Sequence, residues 1–517
     1  MAGDPGLLQP LRDVVRELLA PDLDIIKKDF TGKRVLLRVD FNVPVDDATG
    51  AVADASRINA VLPTIRALMR GGARVILASH FGRPEPKKQS RQEMESLYSL
   101  RPVAALLASQ LGSAAFRGLA RDCIGPEAEA AVSELQPGQA LLLENTRFHG
   151  GDVANSPDFA RQLAALCDVF VNDAFGVVHR DQGSVTGITS FVPECYPGPL
   201  IRRELTELAD RLYDPVRPLG VVLGGAKVAD KIGVVGALVE VADVVAVGGR
   251  MAFTLLAAAG VSVGSTQIEE DWLEPCRRMM TRAAQRGTRL LLPSDVCWSS
   301  SLSRPEQLDT SGVTPLTRDC CTPDRPCIPP GRYGVDIGPE TMDTFRTELL
   351  ACRTIFWNGP MGKFEVPEFA SGTVSVARTL DEASRRGTIT IIGGGDSVSA
   401  VTAAGLADHI THISTGGGAS LELIEGRGMP GLRALRMNRR QRDGGGGGGG
   451  GGSGGKPPAE GARGPDGDVG GGMGIAADGG ETGGHGGGGP AGNEGTAAVA
   501  AEAEAAGTCC GAGRRCA

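Results

Sequence analysis

Aromatic side chains are scarce in this sequence. Phe, Trp and Tyr supply 4% of its 517 residues, so a buried core must be built mainly from Ala, Val, Leu and Ile. No apolar run reaches the roughly 20 residues that span a bilayer, which excludes a helical membrane protein and leaves no reason to expect a membrane partner. Twelve cysteines are present, but no CxxC pair and no Cys/His ladder with zinc spacing accompanies them. Dispersed in this way, and grouped only at Cys320, Cys321 and Cys327 and at Cys509, Cys510 and Cys516, they read as free thiols of a reducing compartment. An excess of positive charge is missing too: the formal net charge is −8, which argues against a nucleic-acid partner for the chain as a whole. The GxxxxGK[ST] spacing of a Walker A loop does not occur. A GxGxxG match at Gly426, Gly428 and Gly431 contains Pro430 and follows no strand pattern, so a dinucleotide enzyme is disfavoured.

Apolar residues make up 41% and charged residues 22% of the chain, ordinary values for a globular protein, and the length suits two domains. The first twenty residues carry a helical stripe of Leu7, Leu8, Leu11, Val14, Val15, Leu18 and Leu19. Asp4, Asp13 and Glu17 interrupt it, which is unlike a secretory or transit signal, so a surface helix capping the fold is expected. Composition breaks at Gly444. From there to Ala517 the chain is dominated by Gly, with almost nothing large and apolar, and a disordered tail is expected because little burial offsets chain entropy. The basic run Arg436, Arg439, Arg440 and Arg442 just before it reads as a solvated exit from the fold rather than a site for RNA or anionic lipid.

Short apolar runs alternate with amphipathic stretches such as 57–70 and 159–166. Strands are expected at 35–39, 75–78, 140–143, 169–171, 221–223, 244–247, 290–292, 354–357 and 390–392. Their nearly continuous apolar character is that of strands covered on both faces. Such alternation predicts an α/β fold of two doubly wound parallel-sheet domains. The proline-rich run 191–199 marks the expected boundary.

Parallel sheets bind ligands at the carboxyl ends of their strands. In the first half those ends carry Asp40 and Asn42, then His80 and Arg83, then Arg147, then Arg180, with Arg57 on the following helix. Guanidinium forks suit phosphate and carboxylate groups because they bind bidentately and stay charged. A single surface arginine is usually just solvated; four at consecutive strand ends point to an anionic substrate. In the second half the followers are Gly224-Gly225-Ala226-Lys227 with Lys231, then Gly248-Gly249, Asn358-Gly359-Pro360 and Gly393-Gly394-Gly395-Asp396. A Gly-Gly turn alone is commonly only a turn. Together with Ser414-Thr415-Gly416-Gly417-Gly418, these turns form backbone nests for oxyanions, with Asp396 placed to hold Mg²⁺. The asymmetry predicts a nucleotide phosphate chain on the second domain.

The strings RVLLRVDFNVP, ASHFGRP, LLENTRFH, VNDAFG, LGGAKVADKI, GGRMAFT, FWNGPMGKFE, IIGGGDS and HISTGGGASLELIEG follow one another along the chain. Their content and order resemble the phosphoglycerate kinases from about Ile25 to Leu435. The resemblance implies Rossmann-like domains facing across a cleft: 1–198 for 3-phosphoglycerate, 199–420 for the nucleotide, and a segment 421–443 returning to the first, followed by the tail 444–517. It implies an enzyme, a phosphotransferase with a carboxyl acceptor, moving a phosphoryl group between 1,3-bisphosphoglycerate with MgADP and 3-phosphoglycerate with MgATP. It further implies small-molecule substrates only, and a cytoplasmic monomer. Carried over by position, Asp40, Asn42, Arg57, His80, Arg83, Arg147 and Arg180 would hold 3-phosphoglycerate. Lys227, Lys231, Gly334, Asn358, Glu365, Gly394, Gly395, Asp396 and Ser397 would hold the nucleotide, Asp396 bearing on the metal. Arg57 and Lys227, with the amides of the turns at Gly395 and Gly418, would flank the moving group.

The sequence departs from the family pattern at Arg250, where a small residue usually follows the Gly pair beside the expected adenine pocket, and at Ser397 and Lys363. The Asp181-Gln182-Gly183 run is unusual, and the segment 298–330 is long. Two other classes stay open: a silent binding protein that recruits partners through the tail, and an unrelated two-domain nucleotide enzyme. A coupled assay with 3-phosphoglycerate separates the first, and a comparison of NAD with MgADP in a melting experiment the second.

Overall fold

The computed structural model describes residues 5–229, 231–303, 312–315 and 328–444, with side chains at 11–229, 231–303 and 328–443. The tail, the Cys320 group and the terminal cysteines lie outside the described residues. Cys123, Cys167, Cys195, Cys276, Cys297 and Cys352 are free thiols.

Two six-stranded parallel sheets carry the fold. The first contains β1 (Arg34–Arg38), β2 (Arg74–Ala78), β3 (Phe116–Leu119), β4 (Ala140–Leu142), β5 (Val169–Asn172) and β6 (Glu194–Pro197), in the order β3-β4-β2-β1-β5-β6. The second contains β7 (Leu219–Leu223), β8 (Val244–Val247) and β9 (Arg289–Leu291). After a small antiparallel sheet of β10 (Asp295–Ser299), β11 (Gly312–Pro315) and β12 (Tyr333–Ile337), it resumes with β13 (Thr354–Asn358), β14 (Ile389–Gly393) and β15 (His412–Ile413). Its order is β9-β8-β7-β13-β14-β15, the doubly wound arrangement in which winding reverses beside the first strand. That switch point lies between β7 and β13.

The central strands β1, β2, β5, β7 and β13 are buried almost throughout, because helices cover both faces and most of their side chains are aliphatic or aromatic. Helix Ser56–Arg70 shows how a cover is built. Ile58, Val61, Leu62, Ile65 and Leu68 are buried at helical spacing, while Arg57 stands at its start, beside the end of β1.

Helix Pro199–Glu204 follows β6 at once, continues through a π-helical stretch Leu205–Asp210, and ends at Tyr213. The last helix, Pro430–Gly444, packs on β6 and on the first helix, Pro5–Leu18. The apolar stripe of that first helix is inside, with Leu11, Val14, Val15 and Leu18 no more than 2% exposed. The basic run is not a bare solvated exit. Arg436 and Arg440 both bind Glu17, and Arg439 reaches Asp22, so the charges join the two terminal helices. Two guanidiniums donating to one carboxylate hold Glu17 down at about 2.

Candidate active site

At the ligand edge of the first sheet, turns after successive strands bring cations together. Asp40, just past β1, binds Arg57 (3.1 Å), and Arg57 also donates to the Asn42 carbonyl (2.9 Å). The Asn42 side-chain oxygen accepts from the Gly82 amide (2.8 Å), and Arg147 donates to the Gly82 carbonyl (2.7 Å). The loops after β1, β2 and β4 are thereby joined into one rim. His80 is 3% exposed and sits behind it. Its Nδ1 lies 3.4 Å from a guanidinium nitrogen of Arg38; an arginine only donates, so the ring proton belongs on Nε2. Burial first, then the charges of Arg38, Arg147, Arg180 and Arg57, push the His80 pKa well below its ordinary value. The imidazole is therefore a neutral donor at working pH. Arg147 is depressed to about 10 by burial and by Arg180 and Arg38, against the pull of Asp152 and Asp40. It stays cationic at neutral pH.

Arg38 was absent from the expected set. It is fully buried at the end of β1, donating to the Ser184 hydroxyl (3.1 Å) and the Val39 carbonyl. Its signal was available, since a charge inside a strand covered on both faces needs a reason. His179 was also missed; it contacts Arg180 (3.4 Å) and its Nδ1 is buried without a partner, as is Arg147 Nε. Such orphaned polar atoms beside a cation cluster suit a bound anion. Arg83 is exposed one residue past Gly82 and stands outside this hydrogen-bonded set.

At the second sheet's switch point the turns after β7 and β13 touch. A Cβ on Gly224 would come within 2.1 Å of the Pro360 carbonyl, and one on Gly359 within 2.2 Å of the Gly224 carbonyl. Only glycine permits that approach. Lys231 fastens the junction, donating to the Gly224 carbonyl (2.6 Å) and the Asn358 side-chain oxygen (2.7 Å). Lys231 is thus spent on the floor of the site, whereas Lys227 is exposed at the tip of the turn. Ser397, expected at the nucleotide, is buried, its hydroxyl accepting from the Gly359 amide (2.6 Å). Asn358 is buried with its amide nitrogen unpartnered, beside Gly394, whose φ is +88°.

Beyond this junction opens a cavity of about 420 Å³. Phe253, Tyr333, Gly334, Val335 and Pro360 form its apolar wall, and Arg250, Lys363, Glu365 and Asp396 its charged margin. Gly334 is required there: a Cβ would stand 2.1 Å from the Phe253 ring. Asp396 opens helix Gly395–Ala403 and is exposed at the cavity, a hard carboxylate oxygen of the kind that takes Mg²⁺ together with nucleotide phosphates. The residues fit the metal.

The Gly416–Gly418 turn, next to β15, comes up against the first domain. A Cβ on Gly416 would lie 2.4 Å from the Phe175 ring, and Thr415 shares a crevice with Asp40 and Arg57. Glu204, 2% exposed on the connecting helix, accepts from His412 (3.0 Å) and from the Thr415 amide (2.8 Å) and hydroxyl (3.0 Å). Sequence reasoning missed Glu204, because nothing in a lone glutamate on a helix announces partners 208 and 211 residues away.

A fold with cations at one sheet's ligand edge and amide-rich turns at the other's switch point is that of a two-domain α/β phosphotransferase. The family model described as phosphoglycerate kinase matches residues 25–427. The chain belongs to the phosphoglycerate kinase family. It is 48% identical over 410 residues to the phosphoglycerate kinase of a Synechococcus strain, covering 79% of this chain and 96% of the relative. It is 46% identical over 412 residues to that of Microcystis aeruginosa, covering 80% and 98%. Among solved structures it resembles phosphoglycerate kinase from Coxiella burnetii (TM-score 0.69, 34% identity, 80% of this chain and 99% of that one). It also resembles the Pyrococcus horikoshii enzyme (TM-score 0.66, 30% identity, 81% and 100%).

Proposed function

We propose that this chain transfers a phosphoryl group reversibly between 1,3-bisphosphoglycerate with ADP and 3-phosphoglycerate with ATP, using the residues assembled above. The observation that carries the assignment of roles is the cation rim of Asp40, Arg57, Gly82 and Arg147 around a neutral His80, at the edge where a parallel sheet binds its ligand. 3-Phosphoglycerate has an anion at each end. Arg147, Arg180 and Arg83 bind its phosphate, and Asp40, Asn42 and the Nε2–H of His80 orient its hydroxyl and carboxylate. Residues 1–198 form the substrate domain, 199–420 the nucleotide domain, and 421–443 the return to the first.

Phosphoryl transfer asks for alignment and charge neutralisation, since the moving group is metaphosphate-like at the transition state. Arg57 and Lys227 flank it from the two domains, and the amides of the turns at Gly395 and Gly418 bind its oxygens. The substrate carboxylate is already ionised, so no general base is required. Closure of the domains excludes water that would hydrolyse the acyl phosphate. Asp396 would hold Mg²⁺, which when bound neutralises nucleotide phosphate charge. Gly334 and Glu365 line the nucleoside end of the cavity, while Lys231, Asn358, Gly394 and Ser397 keep its floor in shape. The reading takes the protein as a cytoplasmic monomer with no nucleic-acid or membrane partner.

A coupled assay of 3-phosphoglycerate-dependent ATP consumption, on the full chain and on a chain ending at Asp443, tests this directly. Turnover by both supports the reading; turnover by neither ends it.

A further inference from the structure

Among the described residues, one group of three metal-ligating side chains converges outside the residues assigned to the two half-sites. Asp122 and Cys123 follow β3, and His149 closes the short turn Thr146–Phe148 after β4. The thiol sulfur, a carboxylate oxygen and an imidazole nitrogen all lie within 4.8 Å of one another. No spacing in the sequence announces them, because His149 stands 27 residues past Asp122 and the parallel pairing of β3 with β4 brings the two segments together. His149 Nε2 is 2.6 Å from Asp122 Oδ1, which also accepts from the Cys123 amide (2.6 Å). Asp122 Oδ2 accepts from Arg91 (3.3 Å), whose Nε is spent on Glu95 (2.7 Å). The carboxylate is thus held in one orientation, and the nearby guanidinium charge is already matched. Cys123 is fully buried and in no disulfide. Burial, then the charges of Asp122 and Asp152, keep its thiol protonated. Asp122 also lines an open cavity of about 640 Å³, a path by which a hydrated ion reaches the group.

From this convergence we infer that Asp122, Cys123 and His149 form a binding site for one borderline divalent cation of the Zn²⁺ class. Thiolate, imidazole and carboxylate together are the donor set of such ions, whereas Mg²⁺ takes oxygen ligands and stays with sites such as Asp396. Metal–ligand bonds of about 2.0–2.3 Å in a tetrahedron put the ligand atoms about 3.3–3.8 Å apart. The present spacings run from 2.6 Å to no more than 4.8 Å, so each ligand atom has to move by about 1 Å or less. On binding, the Cys123 S–H bond gives way to a sulfur–metal bond and the proton passes to solvent. The ring binds through Nε2 and keeps its proton on Nδ1. Asp122 Oδ1 retains the Cys123 amide, since a carboxylate oxygen accepts more than one partner. No electron is transferred. Three protein ligands leave the fourth position to water. The site goes beyond the phosphoryl transfer proposed above and takes none of its residues.

The probe is Co²⁺, which takes the same tetrahedral sites as Zn²⁺ and, bound to thiolate, absorbs light by charge transfer from sulfur. The full chain, reduced and in excess Mg²⁺ so that oxygen sites are filled, is titrated beside Cys123→Ser and His149→Gln. Subtracting the spectra removes cobalt held by the chain's other cysteines. At cobalt concentrations that saturate the wild-type site, the wild-type chain is expected to hold about one equivalent more than either variant, with sulfur charge transfer that added Zn²⁺ abolishes. Identical titrations in all three chains would overturn the inference. So would a loss in Cys123→Ser that His149→Gln does not share, because the imidazole would then be no ligand. Thermal melts check the fold of each variant. Should Cys123→Ser fail to fold, His149→Gln decides alone, since that ring is part-exposed: an unchanged sulfur charge-transfer signal in it would sink the site.

Discussion

Replacing Arg57 by alanine should separate catalysis from folding more cleanly than any other single change. Arg57 is a side chain of the second helical position, 37% exposed, bonded to one Asp40 oxygen at 3.1 Å and to the Asn42 carbonyl at 2.9 Å. An ion pair this accessible contributes about 0–1 kcal/mol to stability, so the melting temperature should fall by only a few degrees. Its catalytic effect is of another size. A guanidinium aimed at a transferring phosphoryl group is worth about 10³-fold or more in turnover, some 4 kcal/mol of barrier. The assay is kcat under saturating MgATP and 3-phosphoglycerate, beside a thermal melt of the same preparation. Arg57→Lys should recover only part of the loss, because the ammonium replaces the charge and not the fork. A well-folded Arg57→Ala retaining a tenth of wild-type kcat would remove this residue from the transition state.

Arg147→Ala should raise KM for 3-phosphoglycerate by about tenfold or more with a smaller change in kcat, since it removes ground-state binding; an unchanged KM would count against its role. Glu204→Ala should lower stability by about 1–3 kcal/mol, because the buried His412 ring and the amide and hydroxyl of Thr415 lose their acceptor; a melt within a degree of wild type would show the contact to be idle. Asp173 is buried at the start of helix Pro199–Glu204, accepting from the Leu200 amide (2.7 Å) and the Thr64 hydroxyl (3.1 Å), and burial lifts its pKa to about 7. A carboxyl raised in the folded state binds its proton more tightly there than in the unfolded chain. Its contribution is therefore greatest below the unfolded value and is lost as pH rises toward 7. Asp173→Asn should flatten the fall in melting temperature between pH 5 and 8, and an unaltered slope would contradict this.

The strands expected at 35–39, 75–78, 169–171, 244–247 and 354–357 coincide with β1, β2, β5, β8 and β13 within a residue or two, because burial on both faces writes itself as unbroken aliphatic runs. β3 went unseen since Arg117 and Gly118 interrupt it, and β6 since Pro197 closes it; an edge strand tolerates both. The small sheet of β10 to β12 was hidden for a similar reason: its strands, such as Asp295–Ser299, mix polar and apolar residues. The glycine turns and arginines of the two half-sites were legible because strand ends are where an α/β sheet keeps its chemistry. What could not be read were partners set by tertiary closure. The bond from the Gly359 amide to the Ser397 hydroxyl is one such partner. Arg436 and Arg440 looked like free charge and close on Glu17.

The claim beneath the whole account is that both half-sites engage one phosphoryl group. Calorimetry of 3-phosphoglycerate binding in the presence of MgADP, with and without aluminium fluoride as a mimic of the moving group, measures this directly. The account predicts affinity about 10²-fold or more higher with the mimic present, with most of the gain lost in Arg57→Ala and in Lys227→Ala. Equal affinity with and without the mimic would mean that the two half-sites do not meet around a shared group, and the mechanism would fall.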